Sequence, residues 1–275
     1  MATLKLSFTT LATPELSGIE AIKLARKYGY QGIDLRVSEN RGELTLAATR
    51  KQITEIKDTL KSEGICLVSL MAYNSAVSSG NVNWMRMEDS ICRHLELADR
   101  VEAQSVRISL EKKAPEMDSR AYCDGVLQSL SIALKDVPDG VEVWIQNHYN
   151  HLNAVECANL VRCLNHPKLG FLLSTDHCLI QNEDLEEVLK EAKGITKQIY
   201  MADIIRIEKG YEDVLPGMGQ VPLMEIYQGI GGKQFKGWIT LKWENIWRPY
   251  LADHEIILPF FINYIKEHMN DKCCK

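Results

Sequence analysis

Residues 141–151, VEVWIQNHYNH, join a strand pattern to side chains that can carry out chemistry. Val141, Val143 and Ile145 alternate with other side chains, as in a strand with two different faces. The alternation ends in amides and imidazoles, which bind polar ligands and carry protons: Gln146, Asn147, His148, Asn150 and His151. Polar groups at the carboxyl end of a strand are typical of a barrel active site, although a solvated loop has the same composition.

The same arrangement recurs at other predicted strands. Apolar runs end at residues 173, 201 and 241, and each leads directly into polar or charged residues. Another run, 105–110, carries an arginine within it. The side chains concerned are Arg107, Ser174, Asp176, His177, Asp203, Lys242 and Glu244. Because catalytic groups collect at the carboxyl ends of barrel strands, the recurrence favours one shared site.

The elements that must position these groups alternate between strand and helix along the whole chain. Strands are predicted at 4–8, 32–35, 65–71, 105–110, 141–146, 169–173, 198–201 and 238–241, each followed by an amphipathic helical pattern. Strict alternation implies a parallel sheet. Eight such units of about 34 residues predict an α/β protein with one (β/α)8 TIM barrel domain over residues 1–275. An open doubly wound sheet is the alternative, but no GxGxxG or P-loop motif is present.

Composition limits the function classes. The 275 residues carry a net charge of −5 and no basic block, which argues against a nucleic-acid partner. No apolar run is long enough to span a membrane, and the first residues do not resemble a signal peptide. The eight cysteines form no CxxC pair and are expected to be free thiols in a reducing cytoplasm.

Several motifs, in their order and spacing, resemble the xylose isomerase-like barrels, a group of sugar-phosphate isomerases and epimerases that shares its fold with endonuclease IV. IQNH resembles the ENH motif of the family's fifth strand, and LLSTDHCL resembles its LLDxGH at the sixth. IYMAD resembles HxKD at the seventh strand. LPGMGQVP followed by ITLKWEN resembles its PGxGxVP turn and final SLEWE strand. The resemblance covers residues from about 4 to 268 and implies a barrel that acts on a sugar-like compound.

The resemblance also implies four ligands for a divalent cation, namely Glu, Asp, His and Glu on strands five to eight. All four positions differ here: Gln146, Ser174, Tyr200 and Lys242. A hard cation needs anionic oxygen or imidazole donors, and an ammonium repels it. We therefore expect no metal and no other cofactor. A divalent metal is expected only if Asp176 and His177 supply ligands.

Four residues are predicted to carry catalysis. Lys242 is expected to replace the charge of the missing cation at a developing oxyanion, or to form an imine if burial lowers its pKa. His148 and His177 are predicted to transfer protons, and Tyr200 to act as an acid or hydrogen-bond donor. The structural alternatives are a Lys242–Glu244 pair at the rim and loop histidines satisfied by backbone groups.

Six residues are predicted to contact the substrate: Gln146, Arg107, Ser174, Asp203, Glu244 and Trp243. Arg107 can hold a carboxylate or a phosphate, or can form an internal ion pair with Glu142 or Asp34. Asp34 and Asp203 fit a pocket or a buried network of hydrogen bonds. Trp243 fits either a pocket wall that stacks on a sugar or a position in the hydrophobic core.

Two functions remain open from the sequence. The first is a metal-independent isomerase, epimerase or lyase that acts on a sugar-derived carbonyl compound. The second is a non-catalytic protein that binds a sugar or metabolite, either alone or as the partner subunit of an active enzyme. The expected partner is a small molecule rather than a nucleic acid or a membrane, and homo-oligomers are possible. Fold alone does not decide between these functions.

Overall fold

Eight parallel strands close into a barrel in the computed structural model, which describes residues 4–38, 42–73, 77–78, 81–113, 115 and 117–269. They are β1 (Lys5–Thr9), β2 (Gly32–Arg36), β3 (Cys66–Met71), β4 (Ser105–Ser109), β5 (Glu142–Gln146), β6 (Leu169–Ser174), β7 (Thr196–Met201) and β8 (Trp238–Leu241). Each strand pairs with its neighbours in sequence, and β8 pairs with β1. The predicted (β/α)8 barrel is confirmed, and the open sheet is excluded.

One helix or more follows each strand and covers the outside of the barrel. The long helices are α1 (Gly18–Tyr28), α2 (Arg50–Glu63), α3 (Trp84–Val101), α4 (Ser119–Ala133), α5 (Ala154–Leu164), α6 (Leu185–Ala192), α7 (Leu223–Ile230) and α8 (His254–His268). Their ends follow from local chemistry. In α1, Ser17 and Glu20 form a reciprocal capping box, and Gly29 ends the helix with φ +85°.

A second hydrophobic cluster, separate from the main core, fills the interior of the barrel. It consists of Val68, Trp144, Leu172, Tyr200 and Trp238, which come from five different strands. The Trp238 indole donates a hydrogen bond to Gln104 Oε1 at 2.9 Å, just before β4 begins. This packing closes the amino-terminal end of the barrel. The polar groups therefore lie at the opposite end of the barrel, where the strands have their carboxyl ends. This end is called the mouth below.

Three local features differ from what the sequence pattern indicates. The apolar pattern indicates a helix over 44–62, but the helix begins at Arg50, because Thr49 caps it together with Gln52. The sequence indicates a long loop over 204–220, but the chain there forms an antiparallel hairpin of Asp203–Ile207 and Gly210–Val214. The polar segment after β6 is a short helix, Thr175–Ile180, rather than a loop. This helix matters most, because it carries two candidate site residues.

Two expectations from composition can be compared with the described part of the chain. No helix there is both long and apolar enough to cross a membrane. The six cysteines in that part are all unpaired. Cys273 and Cys274 lie outside the described residues.

Candidate active site

Lys242, directly after β8, is the centre of a buried network at the mouth. Its side chain is only 3% exposed. Its Nζ atom lies 2.6 Å from Asp176 Oδ2, 3.0 Å from His177 Nε2 and 3.1 Å from Glu244 Oε1. Each of the three ammonium hydrogens therefore has an acceptor. The rim pair with Glu244 that the sequence left open is one of these contacts, but Asp176 is closer.

The short helix after β6 places Asp176 and His177 against this ammonium. Ser174, at the end of β6, donates its hydroxyl to Asp176 Oδ1 at 2.8 Å. The Asn147 side chain clamps the same strand end, since its Oδ1 accepts from Ser174 N–H at 2.7 Å and its Nδ2 donates to Ser174 O at 3.1 Å. Asn147 was not among the predicted site residues. Its position directly after Gln146 was the available signal.

Hydrogen bonds define the protonation of the network. The backbone oxygen of Asn147 can only accept, so His177 Nδ1, 3.0 Å away, carries the hydrogen and Nε2 keeps its lone pair for Lys242. Burial lowers the pKa of His177 to about 4, which leaves the ring neutral at pH 7. Burial would lower the pKa of Lys242, but Asp176 and Glu244 outweigh it and the pKa rises. The site therefore holds an ammonium, two carboxylates and a neutral imidazole, and the raised pKa disfavours the imine.

His148 extends the site towards the loop after β5. Its ring centroid lies 4.5 Å from that of His177 in an edge-on contact and 4.8 Å from that of His151. Its Nδ1 atom is buried and has no hydrogen-bond partner within the described residues. Burial strongly lowers the pKa of His148, and the charges of the mouth lower it further. His148 is therefore a neutral imidazole with an unused nitrogen.

Tyr200 and Asp34 form a deeper layer beneath this network. The Tyr200 hydroxyl donates to Asp34 Oδ2 at 2.7 Å, and Gln198 Nε2 donates to the same oxygen at 2.9 Å. Both Tyr200 and Asp34 are fully buried. Burial raises the pKa of Asp34 to about 7, against the opposing effect of these hydrogen bonds. Asp34 thus belongs to a buried network, and Tyr200, predicted as a catalytic acid, is a donor to that network.

Asp203 organises a loop instead of offering its carboxylate to the mouth. Its Oδ2 accepts from the N–H groups of Gly217 at 2.9 Å and Gly219 at 2.8 Å. Its Oδ1 accepts from Val221 N–H at 3.0 Å and from Ile204 N–H at 2.9 Å. Both oxygens are already used by backbone donors, which is the alternative of a buried network that the sequence left open for Asp203.

Trp243 and Gln146 were both predicted to contact the substrate, but their surroundings differ. Trp243 is buried in the main core and its indole donates to Ala252 O at 2.9 Å, which is the core alternative that the sequence left open. Gln146 ends β5 with 0% exposure, and both atoms of its amide lack a hydrogen-bond partner within the described residues. Such an amide is available to a bound molecule or a water.

Glu244 is the most accessible member of the Lys242 network. Its side chain is 20% exposed, compared with 5% or less for Asp176, His177 and Lys242. On its other side, its Oε2 atom lies 4.0 Å from Arg248 NH1. Glu244 is therefore the partner of Lys242 that a ligand can displace with the least disturbance of the buried network.

A closed parallel barrel whose mouth collects such groups has counterparts among known proteins. The family model of the xylose isomerase-like TIM barrels matches residues 22–258. The chain belongs to this family. No curated protein matches the chain at a significant level.

Solved structures with the fold of this xylose isomerase-like barrel share little sequence with it. The IolI protein with a bound zinc atom superposes with a TM-score of 0.76 at 16% identity, covering 98% of this chain and 100% of that one. A D-psicose 3-epimerase with D-tagatose from Clostridium cellulolyticum H10 gives 0.75 at 12% identity, with 98% and 100% covered. The probable 3-DHS dehydratase AsbF from Bacillus anthracis gives 0.74 at 15% identity, with 95% and 99% covered. These likenesses show the fold alone.

The positions that correspond to the ligands of the family's divalent cation do not fit one in this barrel. These positions are Gln146, Ser174, Tyr200 and Lys242. The first three offer no charge, and Lys242 places an ammonium at the same place. The two atoms considered as substitute ligands, Asp176 Oδ2 and His177 Nε2, both contact that ammonium. A divalent cation beside them would meet a positive charge at close range, so the donor set disfavours a metal here.

Within the described residues, one other group of side chains has the spacing of metal ligands, namely Glu15, Asp253 and His254. Its ligand atoms lie within 4.8 Å of one another. The carboxylates are exposed, and each lies close to His254 Nδ1, at 2.7 Å for Glu15 and 3.1 Å for Asp253. Asp253 also caps α8. A surface ion pair and a helix cap account for this group without a metal.

Proposed function

We propose that this chain is a metal-independent isomerase or epimerase, or a related lyase, that acts on a sugar-derived carbonyl compound at the mouth of the barrel. The observation that carries the proposal is the Lys242 ammonium, which is buried and held by Asp176, His177 and Glu244. A fixed positive charge of this kind can stabilise an oxyanion as it forms, which is the electrostatic part of the work that a metal does in related barrels.

The arrangement suggests how the ammonium meets a substrate. All three of its hydrogens are used in the free protein, so a substrate oxygen must replace one acceptor. Glu244 is the accessible acceptor, and Arg248 offers it a second partner when it turns away. The substrate carbonyl oxygen then takes its place on Lys242 and develops negative charge when the neighbouring carbon loses a proton.

A neutral imidazole supplies the base for that proton. His148 and His177 are both neutral at pH 7, and His148 keeps an unused nitrogen. His148 accepts the proton from the carbon beside the carbonyl, because both nitrogens of His177 are already bonded to Asn147 and Lys242. The electron pair of the broken C–H bond moves to the oxygen held by Lys242. Return of the proton to the former carbonyl carbon gives an isomer when the hydroxyl proton of the other carbon passes to the oxygen held by Lys242, and return to the opposite face of the same carbon gives an epimer.

Exchange of carbon-bound hydrogen for deuterium tests this proposal without knowledge of the product. Ketoses and aldoses are incubated in D2O with chelator-treated protein, and exchange beside the carbonyl is followed by NMR. We expect exchange with the wild type and a loss corresponding to about 2–4 kcal/mol in Lys242→Met. Lys197→Met is the matched control. Lys197 also pairs with a carboxylate, that of Glu142, but this pair lies near the amino-terminal ends of β5 and β7, away from the mouth. Exchange that disappears with chelator, or survives in Lys242→Met, contradicts the proposal.

The second candidate is a non-catalytic binder of sugars or metabolites. The observation that favours it is the complete satisfaction of the ammonium by protein acceptors, which leaves no donor ready for a transition state. In the same NMR samples, a binder broadens or shifts the signals of a sugar without hydrogen exchange. That result would select the second candidate.

A further inference from the structure

Two arginines lie at the same level of the mouth, on either side of β3. Strand register pairs Arg36 at the end of β2 with Met71, and pairs Met71 with Arg107 on β4. Side chains that pair across neighbouring strands point to the same face of a sheet. Arg36 and Arg107 therefore flank Met71 on one face. They are 3% and 5% exposed, which is unusual for arginines.

Arg107 is a buried cation that has no ion pair with a carboxylate in the described part of the chain. Its NH1 donates to Ala72 O at 3.0 Å, Tyr73 lies over the guanidinium at 5.5 Å, and Nε has no hydrogen-bond partner among the described residues. The internal partners considered from the sequence are engaged elsewhere: Glu142 pairs with Lys197 at 3.1 Å, and Asp34 accepts from Tyr200. A buried charge without a partner is costly, so a bound anion would stabilise it.

Arg36 adds unused donors beside this cation. Its NH2 lies 3.6 Å from Glu43 Oε1, but Nε and NH1 have no partner among the residues that the structure describes. Glu43 is held by other donors as well, since Thr10 donates to its Oε2 at 2.7 Å. The pair with Glu43 therefore compensates part of the charge of Arg36 and leaves two of its nitrogens available.

The charge of Arg107 also acts on titratable groups around the mouth. Burial is the main cause of the low pKa of His148 and of His151, and the Arg107 charge lowers both further. Burial raises the pKa of Asp34, and Arg107 acts against this rise. Arg107 is therefore close enough to interact electrostatically with side chains from β2 and from the loop after β5.

We propose that Arg107, assisted by Nε and NH1 of Arg36, binds an oxyanion group of the substrate, either a carboxylate or a phosphate monoester. This inference rests on the proposed function and narrows its substrate class to acidic sugar derivatives. The oxyanion neutralises the Arg107 guanidinium, which has no carboxylate partner among the described residues, and the planar fork of an arginine matches two oxygens at once. The carbonyl of the same substrate then lies towards Lys242.

Binding of simple anions to the ligand-free protein tests the inference. The unfolding temperature is measured against increasing inorganic phosphate and, separately, acetate, with sodium chloride at equal ionic strength as the reference. We expect at least one of the two anions to stabilise the wild type, and Arg107→Met to weaken its apparent affinity by about tenfold or more. Stabilisation by phosphate alone identifies a phosphate ester as the substrate class, and stabilisation by acetate alone identifies a carboxylate. Arg120→Met is the control, because Arg120 is an exposed arginine on α4.

A conservative variant separates the loss of anion binding from a loss of folding. Arg107→Lys keeps the charge and loses the fork, so it should retain weak anion binding that Arg107→Met lacks. The inference is overturned if neither anion stabilises the wild type beyond chloride, or if both Arg107 variants bind anions as the wild type does. Because this experiment measures no turnover, such a result would refute only the acidic substrate class. The proposed function would still be tested separately by deuterium exchange.

Discussion

At the scale of single residues, the buried carboxyl of Asp34 makes the sharpest prediction for pH dependence. Burial raises its pKa from 3.8 to about 7 in the folded protein. Between these values the folded state holds a proton that the unfolded state has lost. The free energy of unfolding therefore falls as pH rises from about 4 to about 7, by up to about 4 kcal/mol, and the contribution of Asp34 is complete only below this window.

Asp34→Asn should remove that slope, because an amide keeps the shape and does not titrate. Urea unfolding at a series of pH values measures it, and Asp124→Asn on the exposed face of α4 is the control that should keep the wild-type slope. Equal slopes in Asp34→Asn and the wild type would show that the carboxyl is ionised throughout this range.

Some residues could be assigned from the sequence and others could not. Lys242, His177 and His148 follow strands directly, so barrel geometry alone directs them to the mouth. Gln198 and Ser7 became recognisable only through their hydrogen bonds to Asp34, which is far away in the chain. For Asp203 and Trp243 the sequence left two alternatives open, because a strand-end position does not reveal whether a side chain is already bonded to backbone groups nearby.

Among the structural elements, the loop after β7 requires the backbone of Gly219 to lie very close to the side chain of Asp203. The backbone of Gly219 lies so near the Asp203 carboxylate that a Cβ built there would be 2.1 Å from Oδ1. Gly219→Ala must therefore push Asp203 away from the three N–H groups it accepts from beyond β7, at Gly217, Gly219 and Val221. We expect a loss of about 1–3 kcal/mol in the free energy of unfolding, together with disorder of the loop.

Gly64→Ala is the control for this variant. Gly64 ends α2 with φ +65°, and a Cβ added there would meet no other atom within 4 Å. Gly64→Ala should therefore lower the free energy of unfolding only through the strained backbone conformation, by about 1 kcal/mol. Urea unfolding measures both variants, and protection of the Gly217, Gly219 and Val221 amides from hydrogen exchange should fall only in Gly219→Ala. Unchanged protection there would mean that Asp203 does not organise the loop.

The end of a helix could be predicted where its apolar period stops at a glycine, as at Gly29 after α1, but the start of α1 after the Ser17 cap could not. The hairpin after β7 was not predicted, because its residues lack the alternation of a strand and its turn at Gly210 resembles a loop. The helix Thr175–Ile180 was not predicted, because six residues are too few to show a helical period. That omission affects the site, since this helix delivers Asp176 to Lys242.

At the scale of the whole molecule, strict alternation of strand and helix was enough to predict the closed barrel and the end at which polar groups meet. The network itself could not be derived in this way. Asp176 and Lys242 are 66 positions apart in the chain, and a pattern along one strand says nothing about such a contact. We propose that this ammonium occupies the place of a divalent cation, so that the site needs none.

A calorimetric titration of chelator-treated protein with zinc tests this proposal. We expect no stoichiometric zinc binding that depends on Asp176, so the wild type and Asp176→Asn should give the same titration. Weak heat that disappears in His254→Ala would belong to the surface group of Glu15, Asp253 and His254. Tight binding of one zinc ion per chain that Asp176→Asn abolishes would refute the proposal, since it would place a metal where Lys242 lies.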